Sequence, residues 1–178
     1  MARNAARRYA EAIVALARET GSFELWDRDL RRLADSLRDE QTARFLVNPG
    51  MPVAEKRKAL ELILGDGQLE AHNLVRILME NRRLPLLPDI YDVFSEAWLA
   101  EQGIVVAHVT TAEPVSADDE RLIRQRLTDM TGRKIELRLR VDPELIGGLV
   151  ARIGDTVLDG SVQSKLRALR QRLNVASA

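Results

Sequence analysis

Hydrophobic positions recur every three to four residues up to about residue 100 and every second residue for much of the chain after that. That switch in period divides the sequence. Residues 3–19 predict a first helix. Arg7, Arg8, Glu11 and Arg18 share one narrow polar face, and the rest of the circumference is apolar. Tyr9, Ile13 and Leu16 form its bulky centre, and Ala6, Ala10 and Ala17 form a small-residue flank. A surface helix needs only about a 100° stripe to bury against its own core. An arc this wide leaves two readings open: a central helix packed on both sides, or a flank that a partner helix approaches. Gly21 and Ser22 punctuate the chain, and Trp26, Leu30, Leu33 and Leu37 repeat at four, three and four. Ala43 to Val47 predicts a short third helix closed by Asn48-Pro49-Gly50, and Pro52 opens a fourth. Leu69 to Glu80 is a fifth, with Ala71, Leu74, Val75 and Leu78 on one face. Ile90, Val93, Phe94, Ala97 and Trp98 mark a sixth. Short connections between them predict a six-helix bundle.

Past Gly103 the texture changes. Ile104 to Thr110 is β-branched and strand-like. Ser116-Ala117-Asp118-Asp119 is a capping box opening a helix that ends at Gly132. Lys134 to Val141 alternates, with Ile135, Leu137, Leu139 and Val141 inward. Asp142-Pro143-Glu144 is a helix-start pattern that Gly147-Gly148 halts almost at once. Leu149 to Ile153 and Thr156 to Leu158 read as a hairpin around Gly154-Asp155, with glycine first in the turn. Asp159-Gly160 ends it, and Ser161 caps a last helix striped by Val162, Leu166, Leu169 and Leu173. The expected fold is therefore α+β in two domains. Residues 1–103 form the helical bundle, and residues 104–178 form a small α/β domain with about four strands and two helices.

Charge and composition narrow the chemistry. Lys+Arg and Asp+Glu are 27 each, so the net charge is zero, and 4% aromatic content supplies few stacking platforms for nucleic acid. Residues 1–103 carry 15 basic and 17 acidic side chains and residues 104–178 carry 12 and 10, so neither half is strongly polarised. The last helix is the exception. It bears Lys165, Arg167, Arg170 and Arg172 without an acid, as a solvated face or as a docking face for an acidic partner. The absence of cysteine excludes disulfides and thiolate metal sites. The longest uncharged run, Gln102 to Ala112, is too short to span a membrane. His72 reads as a helix-surface residue and His108 as a packed strand residue. Asp142, Asp155 and Asp159 stand where turns alone account for them. No acid, base and orienting group converge, so neither a catalytic apparatus nor a cofactor is expected. Gly147-Gly148 could cradle a phosphate, but the glycines precede a strand, where the nucleotide fingerprints have them precede a helix.

Several stretches resemble the delta subunit of F-type ATP synthases and its mitochondrial relative, the oligomycin-sensitivity-conferring protein. They are Arg8-Tyr9-Ala10 with Ala12, Trp26, Phe45-Leu46-Asn48-Pro49, Leu78 with Asn81-Arg82-Arg83-Leu84 and Ile90, and above all DPELIGG (from Asp142, Pro143 to Gly147, Gly148) and IGDTVLDGS (with Gly154, Asp155, Asp159, Gly160 and Ser161). Thr111 and Gln163 depart mildly from the family pattern. The resemblance implies a non-catalytic stator connector without cofactor. Its helical domain would bind N-terminal helices of the alpha subunits, and its C-terminal domain would bind the end of the peripheral-stalk b subunits. It would lie peripherally on the cytoplasmic face of a bacterial membrane. By the same resemblance the head-facing groove lies between the first and fifth helices, at Tyr9, Ala10, Ile13, Leu74, Ile77 and Leu78. Two rivals stand beside it: an enzyme with a phosphate site at Gly147-Gly148, and an RNA-binding adapter charged by its last helix.

Overall fold

The computed structural model describes the backbone over residues 2–168 and side chains over residues 4–168. The chain is mostly helical with one four-stranded mixed sheet, and it divides into two compact units, 1–98 and 99–178. Sequence texture changes at Gly103, but the units part five residues earlier, inside the last turn of a helix. Beyond Trp98 that helix runs on to Glu101 without a buried residue, so its final turn adds nothing to the first core.

The first unit runs α1 (Ala2–Thr20), α2 (Phe23–Arg38), α3 (Glu40–Val47), α4 (Val53–Leu64), α5 (Leu69–Glu80), a 3-10 turn (Leu84–Leu86) and α6 (Leu87–Glu101). Its core gathers the predicted stripe of α2, with Trp26, Leu30, Leu33 and Leu37, and the predicted face of α5, with Ala71, Leu74, Val75 and Leu78. Phe23, Phe94 and Trp98 stack where α2 meets α6. Helix α3 begins three residues before its expected start. The Asp39 carboxylate accepts from the Thr42 N–H at 2.9 Å and so caps a first turn that carries no apolar signal.

One core residue is charged. Asp29 is fully buried; it pairs with Arg28 at 2.9 Å and accepts the Gln68 N–H at 2.9 Å. Gln68 is the N-cap of α5, so a carboxylate on α2 satisfies a donor at the start of α5 and sets that helix against its neighbour. On the outer side of α2, Tyr91 of α6 accepts from Arg31 at 2.9 Å and donates to Asp27 at 3.2 Å. Burial pushes the Tyr91 phenol up, and the Asp27 charge adds to that.

The second unit has strand order β2-β1-β3-β4, with β1 (Ile104–Thr111), α7 (Ala117–Thr131), β2 (Lys134–Val141), β3 (Leu149–Ile153) and β4 (Thr156–Asp159). β1 and β2 pair in parallel through α7, while β3 is antiparallel to both β1 and β4. Ala107, Val109, Ile135, Leu137, Ala151 and Leu127 of α7 make the core. Ser116 caps α7 by accepting the Asp119 N–H, and its hydroxyl donates to the Asp119 carboxylate. The inward face expected of β2 is only half covered: Ile135 and Leu137 are buried, whereas Leu139 and Val141 are exposed. β2 is an edge strand, and the inward positions of its second half are left uncovered among the described residues. The chain is helical again over 162–168. The stripe positions Leu169 and Leu173 and the cations Arg170 and Arg172 lie outside the described residues.

Candidate docking surfaces

The motif from Asp142 to Ser161 is one interlocked turn. Asp142 donates its N–H to Thr111 at the end of β1, and its carboxylate accepts the Glu144 N–H at 3.1 Å. This is a side-chain-capped turn; no helix follows, because Gly147 and Gly148 arrive before a second turn can form. Gly160 then donates to Leu149 at 2.9 Å, and Val162 donates to Gly147 at 3.0 Å, so the two glycine-bearing segments are bonded to each other. Gly148 has φ +81°, and a Cβ there would stand 2.5 Å from the Gly160 carbonyl oxygen. Only glycine meets both demands. That carbonyl fills the space over Gly148 with negative partial charge, the wrong sign for a phosphate. At the hairpin, Ile153 pairs with Thr156 and Gly154 alone of the two turn residues has positive φ, as a glycine-first turn requires.

Asp159 closes the knot. Its carboxylate accepts from the Ser164 hydroxyl and the Ser161 N–H, and these hydrogen bonds, that from Ser164 foremost, bring its pKa down to about 2. Ser161 is the expected N-cap: its hydroxyl accepts the Ser164 N–H at 3.2 Å. Asp142, Gly147, Gly148, Gly154, Asp159, Gly160 and Ser161 are thus all engaged in turn geometry and its hydrogen bonds.

The six positions expected to face a partner divide. Ala10, Ile13 and Leu78 are at most 2% exposed and Leu74 is buried, so these four belong to the bundle core. The alanine flank of α1 is thus internal, and Ala10 shares a crevice with Val93 and Ala97 of α6. A helix without large side chains on one flank lets its own neighbours approach closely, which accounts for the wide apolar arc. Tyr9 is half-buried, with its ring under the Arg83 guanidinium and its hydroxyl accepting from Arg83 at 3.1 Å. Ile77 on α5 is 43% exposed, and Leu16 on α1, two turns from Tyr9, is 44% exposed. Spacing puts Leu16 in the bulky centre of α1, and the family resemblance does not include it among the partner-facing positions.

The second unit offers a groove of about 840 Å³ lined by α7, the Ile146-Gly147-Gly148 segment and Lys165. Leu122, Met130 and Ile146 are exposed along it. Among the described residues no helix is long and apolar enough to cross a membrane, and no three His, Cys, Asp or Glu side chains cluster as metal ligands would.

A sequence model of the family described as ATP synthase delta (OSCP) subunit matches residues 5–173. The chain belongs to that family. Among curated relatives it is 38% identical to the ATP synthase subunit delta of Gemmatimonas aurantiaca over 172 residues, covering 94% of this chain and 92% of the relative. It is 38% identical to that of Dehalococcoides mccartyi over 169 residues, covering 95% and 93%. A chain in the cryo-EM structure of the Toxoplasma gondii mitochondrial ATP synthase hexamer superposes with a TM-score of 0.72 at 26% identity, covering 94% of this chain and 96% of that one. A delta (OSCP) chain is a non-catalytic subunit of the peripheral stalk, the stator of a membrane-associated ATP synthase. The chain thus works within an ATP synthase complex, in contact with its other subunits.

Proposed function

We propose that this chain is the connector that ties the catalytic head to the peripheral stalk and holds the head against rotor torque during ATP synthesis. The six-helix bundle takes N-terminal helices of the alpha subunits, and the α/β domain takes the end of the b subunits. In this reading the chain lies peripherally on the cytoplasmic face of a bacterial membrane, as part of the ATP synthase complex. The observation that carries this reading is exposed apolar surface on both α1 and α5, at Leu16 and Ile77, in a family whose members belong to the stator. Amphipathic helices seat apolar anchors on such surfaces. The groove of the second unit, with Leu122, Met130 and Ile146 exposed along it, supports the b-subunit half of the reading.

Both tryptophans, Trp26 and Trp98, belong to the first unit, so intrinsic fluorescence reports on it. A peptide of the alpha-subunit N-terminus titrated into the full chain should shift that fluorescence. Ile77→Glu should weaken binding at least about 30-fold, the cost of roughly 2 kcal/mol for facing an apolar partner with an unpaired charge. Its circular dichroism should stay unchanged, since Ile77 is outside the core. Undiminished binding in Ile77→Glu would move the site elsewhere.

A further inference from the structure

The opposite flank of α5 carries a second groove. It measures about 790 Å³ and runs between α4 and α5, closed at one end by the α3–α4 connection and the 3-10 turn. Leu46, Leu60, Leu64, Val75 and Leu84 form a buried apolar floor. Its walls, α4 and α5, are 12 residues each, about 18 Å long, enough to lie along three turns of another helix.

The rim is basic on both walls. Lys56 and Arg57 stand on α4, Arg76 on α5 and Arg82 just past it, against two carboxylates, Glu61 and Glu80. None of the four cations has a carboxylate partner among the described residues. On α2, by contrast, Arg28, Arg31, Arg32 and Arg38 all pair with aspartates. Arg82 is the more telling because of its backbone. Helix α5 ends with Arg82 donating to Met79 and Arg83 donating to Leu78, a doubly bonded stop whose turning residue takes the left-handed conformation. Arg82 has φ +55°, and it is the one non-glycine residue at positive φ among the described residues. Glycine serves there without strain. An arginine there carries a backbone cost that glycine would not, and it lines the groove's rim.

We propose that the α4–α5 groove is a second docking site, for an amphipathic helix of a partner protein whose apolar stripe is flanked by carboxylates, and that Arg82 is a specificity residue for it. The site is separate from the Leu16–Ile77 surface and does not depend on the reading of that surface.

The test uses the full chain and two fluorescein-labelled amphipathic peptides of about 14 residues, four helical turns, identical in their leucine stripe. One has glutamate flanks and the other lysine flanks. Fluorescence anisotropy should show the glutamate peptide binding at least about 10-fold tighter, with the difference shrinking in high salt. Arg82→Gly should weaken the glutamate peptide about 3–10-fold while raising the melting temperature by about 2–6 °C as the strain is released. Opposite signs in binding and stability are what a purely structural arginine would not give. Ile77→Glu should leave both readouts of this groove unchanged, which separates it from the alpha-subunit site. Equal affinity for the two peptides, unchanged affinity in Arg82→Gly, or self-association of the chain that the glutamate peptide competes away would overturn the proposal.

Discussion

At the scale of single residues, Gly148 is constrained twice over. Its φ of +81° is a conformation that side chains rarely adopt, and the Gly160 carbonyl oxygen stands 2.5 Å from where a Cβ would be. The two costs add, because relieving the contact means moving the segment from Gly160 to Val162, which is bonded back to Leu149 and Gly147. Gly148→Ala should therefore cost at least about 2 kcal/mol, strain plus displaced backbone, read from chemical denaturation of the full chain by far-UV circular dichroism. A loss under about 0.5 kcal/mol would show that the loop reroutes freely. Asp159 beside it is held near 2 by donors that exist only when the turn is formed. Its folded pKa lies below the ordinary carboxylate value. Its contribution is thus fully present above about pH 4 and fades as pH falls towards 2.

At the scale of elements, periodicity made most of the chain legible and missed where burial was decided by something other than hydrophobic spacing. The stripe of α2, the face of α5 and the hairpin around Gly154 stand where spacing places them. The start of α3 was hidden because a carboxylate cap, Asp39, opens it in a polar run. Asp29 gave no signal: an aspartate in a helix of many charges reads as solvated, and only the fold shows it buried against the start of α5. Leu139 and Val141 alternate correctly but stand exposed on an edge strand, which alternation cannot foresee. The alanine flank of α1 is the instructive case. Spacing showed an apolar arc too wide for one interface, but spacing cannot say whether a neighbour in the same chain or in another covers it. Here the same chain does, since Ala6, Ala10 and Ala17 have no exposed surface. Ala10→Glu should then unfold the first unit, because a carboxylate buried without a partner costs several kcal/mol. The loss of helical circular dichroism should accompany loss of the native tryptophan fluorescence. A folded Ala10→Glu chain that has merely lost peptide binding would return the flank to the partner surface.

At the scale of the whole molecule, the two units differ in what stabilises them. The first has a core supplied by every one of its helices. Among the described residues, the second builds on a core cluster of six buried residues from its sheet and α7, and on a turn knotted by hydrogen bonds. A unit that small buries a lower fraction of its chain's surface and is closer to the limit of independent stability. The connector role proposed above nonetheless favours units that hold their own folds, since load then passes through intact bodies. Cutting the chain at 102/103 keeps α6 whole, whereas a cut at 98/99 removes its last turn. Fragment 1–102 should therefore melt cooperatively at the temperature where tryptophan fluorescence changes in the full chain. Fragment 103–178 should fold as well but with the lower melting temperature. In the full chain, far-UV circular dichroism should reveal an earlier transition that fluorescence does not see, because both tryptophans lie in the first unit. A single transition by both probes, with neither fragment folding alone, would mean that the stability of each unit is borrowed from the other.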